Sequence, residues 1–422
     1  MKIAILGNGK EGQAAKAYFE AHGDECKVFE NFADEDVKDF NLDQYDLVMR
    51  SPSVRPQGDW SSSTKYFFEK CPARIIGVTG TKGKGTTCSL IKSVFGAMGR
   101  KVWLVGNIGV PAIEVLDDIA SGDVVVYEMS SFQLWDLYRS PSVAVVLGIE
   151  PDHLNVHKDF AEYVDAKSNI VKWQNEGDVC VYYKDNKDSV SIAEKSPAEE
   201  KLAYPVGELI EAVTNNEEEK TQLLNKLEKA LNSLSIVGRH NMENAQAAML
   251  AVCGYLGIDI KELLNEHLNE ICKGFKEFKG LPHRLQLIRE LNGVKYYDDN
   301  FATNVASTKV AIEAFNTPLV MIVGGRDKTD YEDLPELNKL LSDNSLVKKV
   351  VLIGESGHEL MKKYENAKFV LEKDLKSAVE KAREFADTGN TVLMSPAAAS
   401  FDMFKNVYDR GAQFVEIVNK LK

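Results

Sequence analysis

The sequence predicts an α/β protein built on parallel sheets, and three observations support that prediction. Short apolar runs alternate with amphipathic helical stretches along almost all of the 422 residues. The runs are continuous in valine, isoleucine and leucine, which is typical of strands buried on both faces of a parallel sheet. The alternation starts afresh near Arg74 and again near Leu281, and a chain of this length suits two or three domains. We therefore expect three domains, at residues 1–73, 74–280 and 281–422.

Each predicted element follows from its local pattern. Strands are expected at the apolar runs 2–6, 46–50, 74–78, 101–105, 123–128, 142–147, 318–323, 350–353 and 391–394. The segment 184–216 is polar, and we expect a variable loop there. The acidic stretch after it is predicted to be a helix over 217–233, whose charges form a solvated face.

Composition and charge exclude several classes of function. The net charge is −13, with 44% hydrophobic and 27% charged residues. An acidic surface argues against general binding of nucleic acids or anionic membranes, because both require positive fields. No apolar run approaches the roughly 20 residues that span a bilayer, and the first residues, MKIAILGNG, read as a strand and not as a signal peptide. The six cysteines lack CxxC spacing, so we expect free thiols in a reducing compartment and a cytoplasmic protein.

The strongest local motif is IIGVTGTKGKGTTCSL at 75–90, where a strand runs into a glycine-rich turn and then a helix. Its glycines are Gly80, Gly83 and Gly85. Such a turn directs backbone N–H groups at phosphate oxygens, and the helix N-terminus adds a partial positive charge. Lys84 is then placed to reach the β- and γ-phosphates, and Thr86 or Thr87 must supply the hydroxyl for Mg²⁺ because glycine follows the lysine. The alternative is a glycine-rich turn that binds no nucleotide.

Two further patterns suggest ligand sites. Glu128 ends an apolar strand, and a carboxylate there is well placed to hold Mg²⁺ beside a phosphate loop, although a strand-end surface acid is the simpler interpretation. Near the N-terminus, the glycines of a G-x-G-x-x-G motif lie between a strand and a helix. They are Gly7, Gly9 and Gly12. With Glu30 about twenty residues later, this motif by itself indicates a dinucleotide site, with NAD as one possible ligand.

A series of motifs in fixed order resembles the Mur ligase family. The motifs are GVTGTKGKGTT, VGNIG, YEMSSFQL, EPDHLNVH, DAKSNI, GRHNMENAQAA, GLPHRLQ, DDNFATN, GGRDKTD and SPAAASFDMFKNVYDRGAQF. The N-terminal GNGKEG and SPSVRP resemble the members that add D-glutamate to UDP-N-acetylmuramoyl-L-alanine. The resemblance covers nearly the whole chain, and it is specific because so many motifs occur together.

The resemblance implies a monomer with three domains and a particular reaction. An N-terminal Rossmann-like domain would hold the UDP part of the substrate, a central P-loop ATPase-type domain would bind ATP, and a C-terminal Rossmann-like domain would bring in the amino acid. ATP would phosphorylate a substrate carboxylate, and the incoming amine would attack the acyl phosphate through a tetrahedral intermediate. Phosphorylation turns a poor electrophile into a reactive one, and the charge on the transferred group needs lysine and metal ions nearby.

The resemblance also assigns catalytic and ATP-binding residues. It implies catalytic roles for Lys84, Glu128, His153 and Lys167, with Thr86, Glu128, His153 and Lys167 as ligands of two Mg²⁺ ions and Lys167 carbamylated by CO₂. The ATP-binding residues implied are Gly80, Thr81, Lys82, Gly83, Lys84, Gly85, Thr86, Thr87, Asn241, Asn244, Arg284 and Asp299. Outside the resemblance, Lys167 reads as an ordinary solvated helix lysine.

The two other substrates have their own implied residues. Those for the UDP substrate are Gly9, Lys10, Glu11, Glu30, Asn31, Ser51, Ser53, Asn107, Ser130 and His153. Those for the amino acid are Thr303, Lys328, Ser400 and Phe401. A dicarboxylic amino acid needs such cations and hydroxyl donors. The N-terminal glycine motif then receives UDP in preference to NAD, since the rest of the chain carries ATP chemistry.

The sequence departs from the D-glutamate-adding pattern at a few positions. The turn TGTKGKGTT reads more like folylpolyglutamate synthetases, and Gly148 stands where asparagine is frequent. Asn300 and Phe301 stand where many of these enzymes have serine and lysine, and Val407 replaces an aromatic residue. We expect Arg326 to compensate for the missing lysine. The alternatives are a folylpolyglutamate-type L-glutamate ligase, an NAD-dependent oxidoreductase and a non-catalytic ATP-binding partner of another ligase.

Overall fold

A computed structural model describes residues 1–30, 37 and 40–422. They form two compact units, one of residues 1–234 with 242–278 and one of residues 235–241 with 279–422. Each apolar run that the sequence assigns to a strand coincides with a strand, so the prediction of an α/β protein with parallel sheets is confirmed. The limits of the three expected domains stay a prediction.

The first unit begins with a parallel sheet in the order β2-β1-β3-β4. Its strands are β1 Lys2–Leu6, β2 Glu25–Phe29, β3 Leu47–Arg50 and β4 Ser61–Ser62, and its helices are α1 Lys10–Ala21 and α2 Ser63–Lys70. α1 follows β1 through the glycine turn and packs Ala14, Ala15 and Phe19 against Ile3 and Ile5. The strands of this sheet all pair in parallel.

A second parallel sheet of the first unit has the order β10-β9-β8-β5-β7-β6. Its strands are β5 Ile75–Thr79, β6 Val102–Gly106, β7 Val124–Glu128, β8 Val143–Val146, β9 Val179–Tyr183 and β10 Glu200–Tyr204. The helices that follow these strands are α3 Lys84–Ala97, α4 Ser131–Leu134, α5 Phe160–Lys172, α6 Lys187–Glu194, α7 Gly207–Val213, α8 Glu217–Asn232, α9 Arg239–Leu256, α10 Ile260–Glu266 and α11 Leu268–Glu277. The inner strands are buried on both faces, which explains their continuous apolar runs.

The prediction of a variable loop at 184–216 is wrong. The segment contains α6, β10 and α7. β10 pairs only with β9 among the described strands, so it is an edge strand whose first residues, Glu200 and Lys201, are exposed. Charged residues on an exposed edge are a normal feature of sheets. They interrupt the apolar pattern from which the other strands were predicted. The helix expected at 217–233 is confirmed as α8.

The second unit contains a mixed sheet in the order β11-β12-β16-β13-β14-β15. Its strands are β11 Gln286–Leu291, β12 Val294–Asp298, β13 Leu319–Gly324, β14 Val347–Ile353, β15 Phe369–Leu371 and β16 Thr391–Met394. Its helices are α12 Val305–Glu313, α13 Leu334–Asp343, α14 Gly354–Lys363, α15 Leu375–Phe385 and α16 Val407–Lys420. β11 runs antiparallel to β12, unlike the other pairs. The turn between them is Asn292-Gly293, both with positive φ, which is the strongest short hairpin signal a sequence can carry.

Within the described part of the chain, no helix combines the length and the apolar character needed to cross a membrane.

Candidate active site

The sites predicted between residues 80 and 153 all follow strands of the second sheet. β8, β5, β7 and β6 lie side by side and run parallel. Their carboxyl ends therefore open onto one edge, where ligands of α/β sheets bind. His153 lies in the loop after β8, the glycine loop follows β5, Glu128 ends β7 and Asn107 follows β6. The strand order explains why positions far apart in the sequence belong to one site.

The glycine loop has a conformation that requires glycine at its final turn. Gly83 has a φ of +86° and is the N-cap of α3, which begins at Lys84. A Cβ at position 83 would overlap the side-chain amide of Asn244 on α9. The loop and Asn244 are therefore in direct contact, as expected for two parts of one nucleotide site. The first N–H groups of a helix have no partner within the helix and carry a partial positive charge, which suits phosphate oxygens at the N-terminus of α3.

The glycine loop is also hydrogen-bonded to the loop after β8. The Thr81 amide donates to the Gly148 carbonyl at 2.9 Å. The Thr81 hydroxyl donates to the Glu150 carbonyl at 3.0 Å and accepts from the Glu150 amide at 2.9 Å. Lys82 is exposed and pairs with the Glu150 carboxylate at 3.1 Å. The departure at Gly148 thus falls at a residue whose backbone supports the loop.

Two threonines were predicted to supply a hydroxyl for Mg²⁺. Thr86 is partly exposed, whereas Thr87 is buried. The Thr87 hydroxyl has no hydrogen-bond partner among the described residues. A third hydroxyl nearby, that of Ser89, donates to the Gly85 carbonyl at 2.8 Å within α3 itself. Exposure favours Thr86 as the residue that reaches a ligand.

Two lysine side chains meet at the glycine loop. Lys84 Nζ donates to the carbonyls of Gly80 at 3.0 Å and Thr81 at 2.9 Å. Lys167, on α5, donates to the same Gly80 carbonyl at 2.8 Å and lies 4.6 Å from the centre of the Tyr163 ring. Lys167 is only 1% exposed. Burial, and next the positive charge of Lys84, hold the pKa of Lys167 well below its usual range.

Glu128 is buried at the end of β7, and its carboxylate accepts from the Asn107 side chain at 3.1 Å. Among the described residues, no group of three or more His, Cys, Asp or Glu side chains could hold a metal ion. The ligands implied by the resemblance also include a threonine hydroxyl and a carbamate, which are not among these four residue types. Carboxylate, hydroxyl and carbamate oxygens are the hard ligands that Mg²⁺ prefers, so the donor set fits Mg²⁺ when Lys167 carries the carbamate.

His153 lies in an exposed loop with an unusual backbone. Its φ is +54°, a left-handed conformation that is uncommon for residues other than glycine. Its carbonyl accepts from the amides of Val156 and His157, each at 3.0 Å. Its ring lies edge-on to Phe132, with centroids 5.0 Å apart. Such a strained backbone persists only where the surrounding contacts maintain it, and it is frequent at functional sites.

The N-terminal glycine motif forms the expected tight turn between β1 and α1. A Cβ at Gly12 would overlap the Gly7 carbonyl, and Gly9 is the N-cap of α1. Ser51, which is buried, donates to the same Gly7 carbonyl at 3.1 Å. The structure therefore brings together the segments GNGKEG and SPSVRP, both of which were predicted to contact the UDP substrate.

The other predicted contacts to the UDP substrate differ in exposure. Exposed residues are Gly9, Lys10, Glu30, Ser53 and Asn107. Glu11 is engaged within the protein, because it accepts from Gln133 at 2.6 Å and burial raises the pKa of its carboxyl group. Ser130 forms a capping box with the same Gln133. Asn31 lies outside the described residues.

In the second unit, part of the predicted amino-acid site comes together. Lys328, after β13, donates to the Thr303 hydroxyl at 3.0 Å. Ser400 is buried, and its hydroxyl has no hydrogen-bond partner among the described residues. Phe401 beside it is 72% exposed. The hydrogen-bonded pair of a cation and a hydroxyl group suits a carboxylate ligand.

Of the predicted ATP contacts in the second unit, Asp299 is tied to the segment of Arg284, because it accepts from the amide of the next residue, Leu285. Arg284 is exposed, with its guanidinium 5.4 Å from the centre of the Phe301 ring. Asp299 is buried and accepts from the Ser395 hydroxyl at 2.9 Å and the Leu285 amide at 3.3 Å. Burial raises the pKa of Asp299 to about 7. The Asn241 side chain donates to the Val237 carbonyl at 2.6 Å.

The departures in the C-terminal motifs have structural consequences. Asn300 hydrogen-bonds to the buried side chain of Arg410 and to the Val407 carbonyl. Arg326, expected to compensate for the cation missing at Phe301, forms an ion pair with Glu355 at 2.7 Å. That compensation stays a prediction.

A buried charge cluster was missed by the sequence analysis. Arg50, at the end of β3, forms an ion pair with Asp136, and Lys65 of α2 lies 2.7 Å from the same carboxylate. Arg50 also donates to the Phe132 carbonyl at 3.1 Å. An arginine at the end of an apolar strand could have been recognised in the sequence as a buried charge that needs a partner. No sequence pattern around Asp136 identified that residue as the partner of Arg50.

Comparisons with known proteins agree with this geometry. The Mur ligase middle domain matches residues 78–252, and the Mur ligase, glutamate ligase domain matches residues 283–398. UDP-N-acetylmuramoylalanine--D-glutamate ligase of Ruminiclostridium cellulolyticum is 32% identical over 100% of this chain and 97% of its own length. The enzymes of the same name from Acetivibrio thermocellus and Clostridium novyi are 34% and 33% identical, over 100% and 96% of this chain and 97% and 88% of their own.

Solved structures share the fold at lower identity. UDP-N-acetylmuramate-alanine ligase from Thermotoga maritima aligns with a TM-score of 0.58 and 17% identity over 100% of both chains. MurF ligase from the same organism, in complex with ADP, aligns with a TM-score of 0.56 and 16% identity over 99% of this chain and 94% of its own. This protein belongs to the Mur ligase family and is an ATP-dependent ligase that forms amide bonds. Membership of the Mur ligase family does not favour the alternative interpretation of the sequence as an NAD-dependent oxidoreductase.

Proposed function

We propose that this protein joins D-glutamate to UDP-N-acetylmuramoyl-L-alanine in the synthesis of peptidoglycan precursors. The observation that carries the proposal is the likeness, over the full length of the chain, to ligases named for that reaction. The segments GNGKEG and SPSVRP, which meet at Gly7 and Ser51, support a site for the UDP part. The central glycine loop supports ATP binding, and the sheet of the second unit supports amino-acid binding.

The reaction begins with phosphoryl transfer from ATP to the alanyl carboxylate of the substrate. Lys84 and the backbone N–H groups at the start of α3 bind the phosphates and offset the charge that develops on the transferred group. Thr86, Glu128, His153 and a carbamylated Lys167 would hold two Mg²⁺ ions, which supply further charge neutralisation. The amine of D-glutamate then attacks the acyl phosphate, and phosphate leaves from the tetrahedral intermediate.

The amino acid is held by residues of the second unit in this proposal. Lys328 and Thr303 bind a carboxylate of D-glutamate as a hydrogen-bonded pair, and the unpaired hydroxyl of Ser400 provides a further donor. Burial, and next the charge of Arg410, lower the pKa of Lys328. Binding a dicarboxylate restores a negative partner for that ammonium group.

We propose that Lys167 is carbamylated, and its surroundings support this. Only the neutral amine reacts with CO₂, forming an N–C bond and releasing one proton, and the lowered pKa of Lys167 favours the neutral amine. The carbamate then places a negative charge beside the ammonium group of Lys84. Enzyme equilibrated with ¹³C-bicarbonate should show a carbamate carbon signal that is absent from Lys167→Met. Equal signals in both proteins would contradict the assignment.

Phosphate release from purified protein with ATP and Mg²⁺ tests the proposed reaction. We expect release with UDP-N-acetylmuramoyl-L-alanine and D-glutamate together, and a product mass that corresponds to their condensation. L-glutamate should not replace D-glutamate, and dihydrofolate with L-glutamate should give no release. Release with the folate pair alone would show that the protein is a folylpolyglutamate-type ligase.

A further inference from the structure

Arg55, in the segment SPSVRP, joins this segment to the loop that contains His153. Its guanidinium forms two hydrogen bonds with the Glu162 carboxylate, at 2.8 and 3.2 Å, in a fork that only arginine can provide. The same guanidinium donates to the Val156 carbonyl at 2.9 Å. It also lies 4.6 Å from the centre of the Trp135 ring. One side chain thus contacts α5, the loop after β8 and the end of α4, all of which belong to the region of the second sheet.

These contacts converge on the turn that follows His153. Glu162 accepts from the Lys158 amide at 2.6 Å, and the Arg55 hydrogen bond is the main reason why its pKa is lowered to about 2. Val156, whose carbonyl binds Arg55, donates its own amide to the His153 carbonyl. Arg55 therefore contacts residues 156–158 at both ends, at Val156 directly and at Lys158 through Glu162. The hydrogen bond from Val156 connects this turn to the left-handed backbone of His153.

Aromatic rings pack against one another within and beside the same loop. The His157 ring is fully buried and stacks on Phe132 with centroids 5.3 Å apart and planes inclined by 6°. Its Nε2 lies 3.0 Å from the Ser131 hydroxyl. Phe132 also contacts the ring of His153. The aromatic rings pack against the loop from within the region of the second sheet. Arg55 contacts the loop from the N-terminal segment SPSVRP.

We propose that Arg55 is a positioning residue that fixes His153 for the reaction and couples its loop to the segment of Ser51 and Ser53. The inference rests on the proposed function, because His153 is assigned there to the reacting centre. The coupling has a simple chemical purpose. The segment predicted to bind the nucleotide sugar and the loop that serves the transferred phosphoryl group are then held in one geometry.

The expected effect on stability is small, which separates positioning from a structural role. The side chains of Arg55 and Glu162 are 39% and 27% exposed, and ion pairs of such exposure contribute little to stability. A displacement of about 1 Å at a reacting centre, in contrast, can reduce the rate by up to about 10²-fold. Loss of the Arg55 fork should therefore reduce turnover far more than stability.

Arg55→Lys keeps the charge and removes the fork. We expect kcat to fall about ten-fold or more, with the KM for ATP within about two-fold of wild type and the melting temperature nearly unchanged. Glu162→Gln should have the same effect, and the double variant should be no worse than either single one. Arg74→Lys is the matched control, because Arg74 likewise donates to a carbonyl, that of Tyr255 at 2.8 Å, and lies 4.9 Å from the Tyr255 ring.

Two results would overturn the inference. One is a kcat for Arg55→Lys equal to that of Arg74→Lys. The other is a double variant whose losses multiply, since independent contacts act additively in free energy. If wild-type protein releases no phosphate with any substrate pair, the proposed function fails, and hydrogen exchange decides the positioning separately. The amides of Val156 and His157 should then exchange faster in Arg55→Lys but not in Arg74→Lys, and unchanged exchange would count against it.

Discussion

The Gly80 carbonyl accepts hydrogen bonds from two lysines, Lys84 and Lys167. Two ammonium groups so close to each other are unfavourable unless one loses its proton or an anion joins them. Lys167 is almost fully buried, and burial, followed by the positive charge of Lys84, lowers its pKa. A lowered pKa favours the neutral amine, which is the form of Lys167 that the proposed reaction with CO₂ requires.

Lys84→Ala should abolish turnover and leave binding of the UDP precursor near normal. The lysine contacts the glycine loop of the second sheet, whereas the predicted UDP contacts lie mainly around Gly7 and Ser51. Loss of one charged group from a phosphoryl-transfer site typically costs at least about 10²–10³-fold in rate. Phosphate release measures turnover, and calorimetry measures precursor binding.

The control is Lys92→Ala, an exposed lysine on the same helix, which should retain full activity. If Lys84→Ala loses precursor binding together with turnover, the assignment of the two sheets to different ligands is wrong.

Asp299 should make the stability of the protein fall as the pH rises. Burial raises its pKa to about 7 in the folded protein, against roughly 3.9 in an unfolded chain. Between those values the folded state holds a proton that the unfolded state has released, so stability declines by about 4 kcal/mol in total across this window. Urea unfolding at pH 5 and pH 8 should show the part of this decline that lies above pH 5, about 3 kcal/mol, in the wild type and a flatter dependence in Asp299→Asn.

Asp374→Asn provides a comparison of opposite sign in the same unit. The Ser377 amide donates to Asp374, which lowers the pKa of that carboxyl group. The stability that Asp374 contributes is present at neutral pH and is lost on acidification. A decline of equal size between pH 5 and pH 8 in the wild type and in Asp299→Asn would show that another group is responsible.

At the scale of elements, α3 combines the predicted phosphate site with packing in the core. Its first turn follows the glycine loop, and its later residues, among them Leu90, Ile91, Val94 and Phe95, are buried in the core. α11 packs closely against it, because a Cβ at Gly274 would meet the backbone of Ser93 and Val94. The helix N-terminus is therefore held rigidly, which favours a fixed geometry for phosphate.

Two glycine substitutions on this element should have opposite effects. Gly83→Ala places a Cβ against Asn244 at a positive φ, so it should weaken ATP binding and destabilise the protein by about 1–3 kcal/mol. Gly96→Ala lies in the exposed last turn of α3 with open space around the new Cβ, and it should stabilise the protein by about 0.5–1 kcal/mol.

Denaturant unfolding and ATP titration measure the two effects. A Gly83→Ala variant that binds ATP as tightly as Gly96→Ala does would mean that the loop changes its conformation on binding.

At the scale of the whole molecule, the first two sheets belong to one compact unit. The Arg50, Lys65 and Asp136 cluster connects them, because Arg50 ends β3 whereas Asp136 follows α4. Burial acts to raise the pKa of Asp136, but the hydrogen bond and charge of Arg50, followed by those of Lys65, lower it overall. The carboxylate is thus ionised and matched by two cations.

Asp136→Asn should destabilise the first unit by roughly 3–5 kcal/mol, because it leaves two cations in the interior with no negative partner. The unfolding free energy in denaturant measures this, and hydrogen exchange should show faster opening of β1 and β3. The control is Glu208→Gln, which removes a solvent-exposed ion pair with Lys184 in the same unit and should change the unfolding free energy little. Equal costs would show that the cluster does not hold the two sheets together.

The sequence alone was sufficient for the α/β class, nine strands of the three sheets, the glycine loop and the family. Those features are local: an apolar run, a glycine at a tight turn and a lysine at a helix start depend on neighbours within a few residues. The edge strand β10 and the antiparallel β11 are among the strands that were not predicted, since exposed edges mix charged and apolar residues. For β11, the Asn292-Gly293 turn was nevertheless readable.

The tertiary structure decided which residues become partners. Lys167 resembles any helix lysine until the fold buries it against Gly80 and Tyr163, and the pairs of Arg50 with Asp136 and Arg55 with Glu162 join residues 86 and 107 positions apart. Long-range pairs leave no periodic pattern in a chain. Burial and the approach of other charges, which set the pKa of a side chain, exist only once the sheets have assembled.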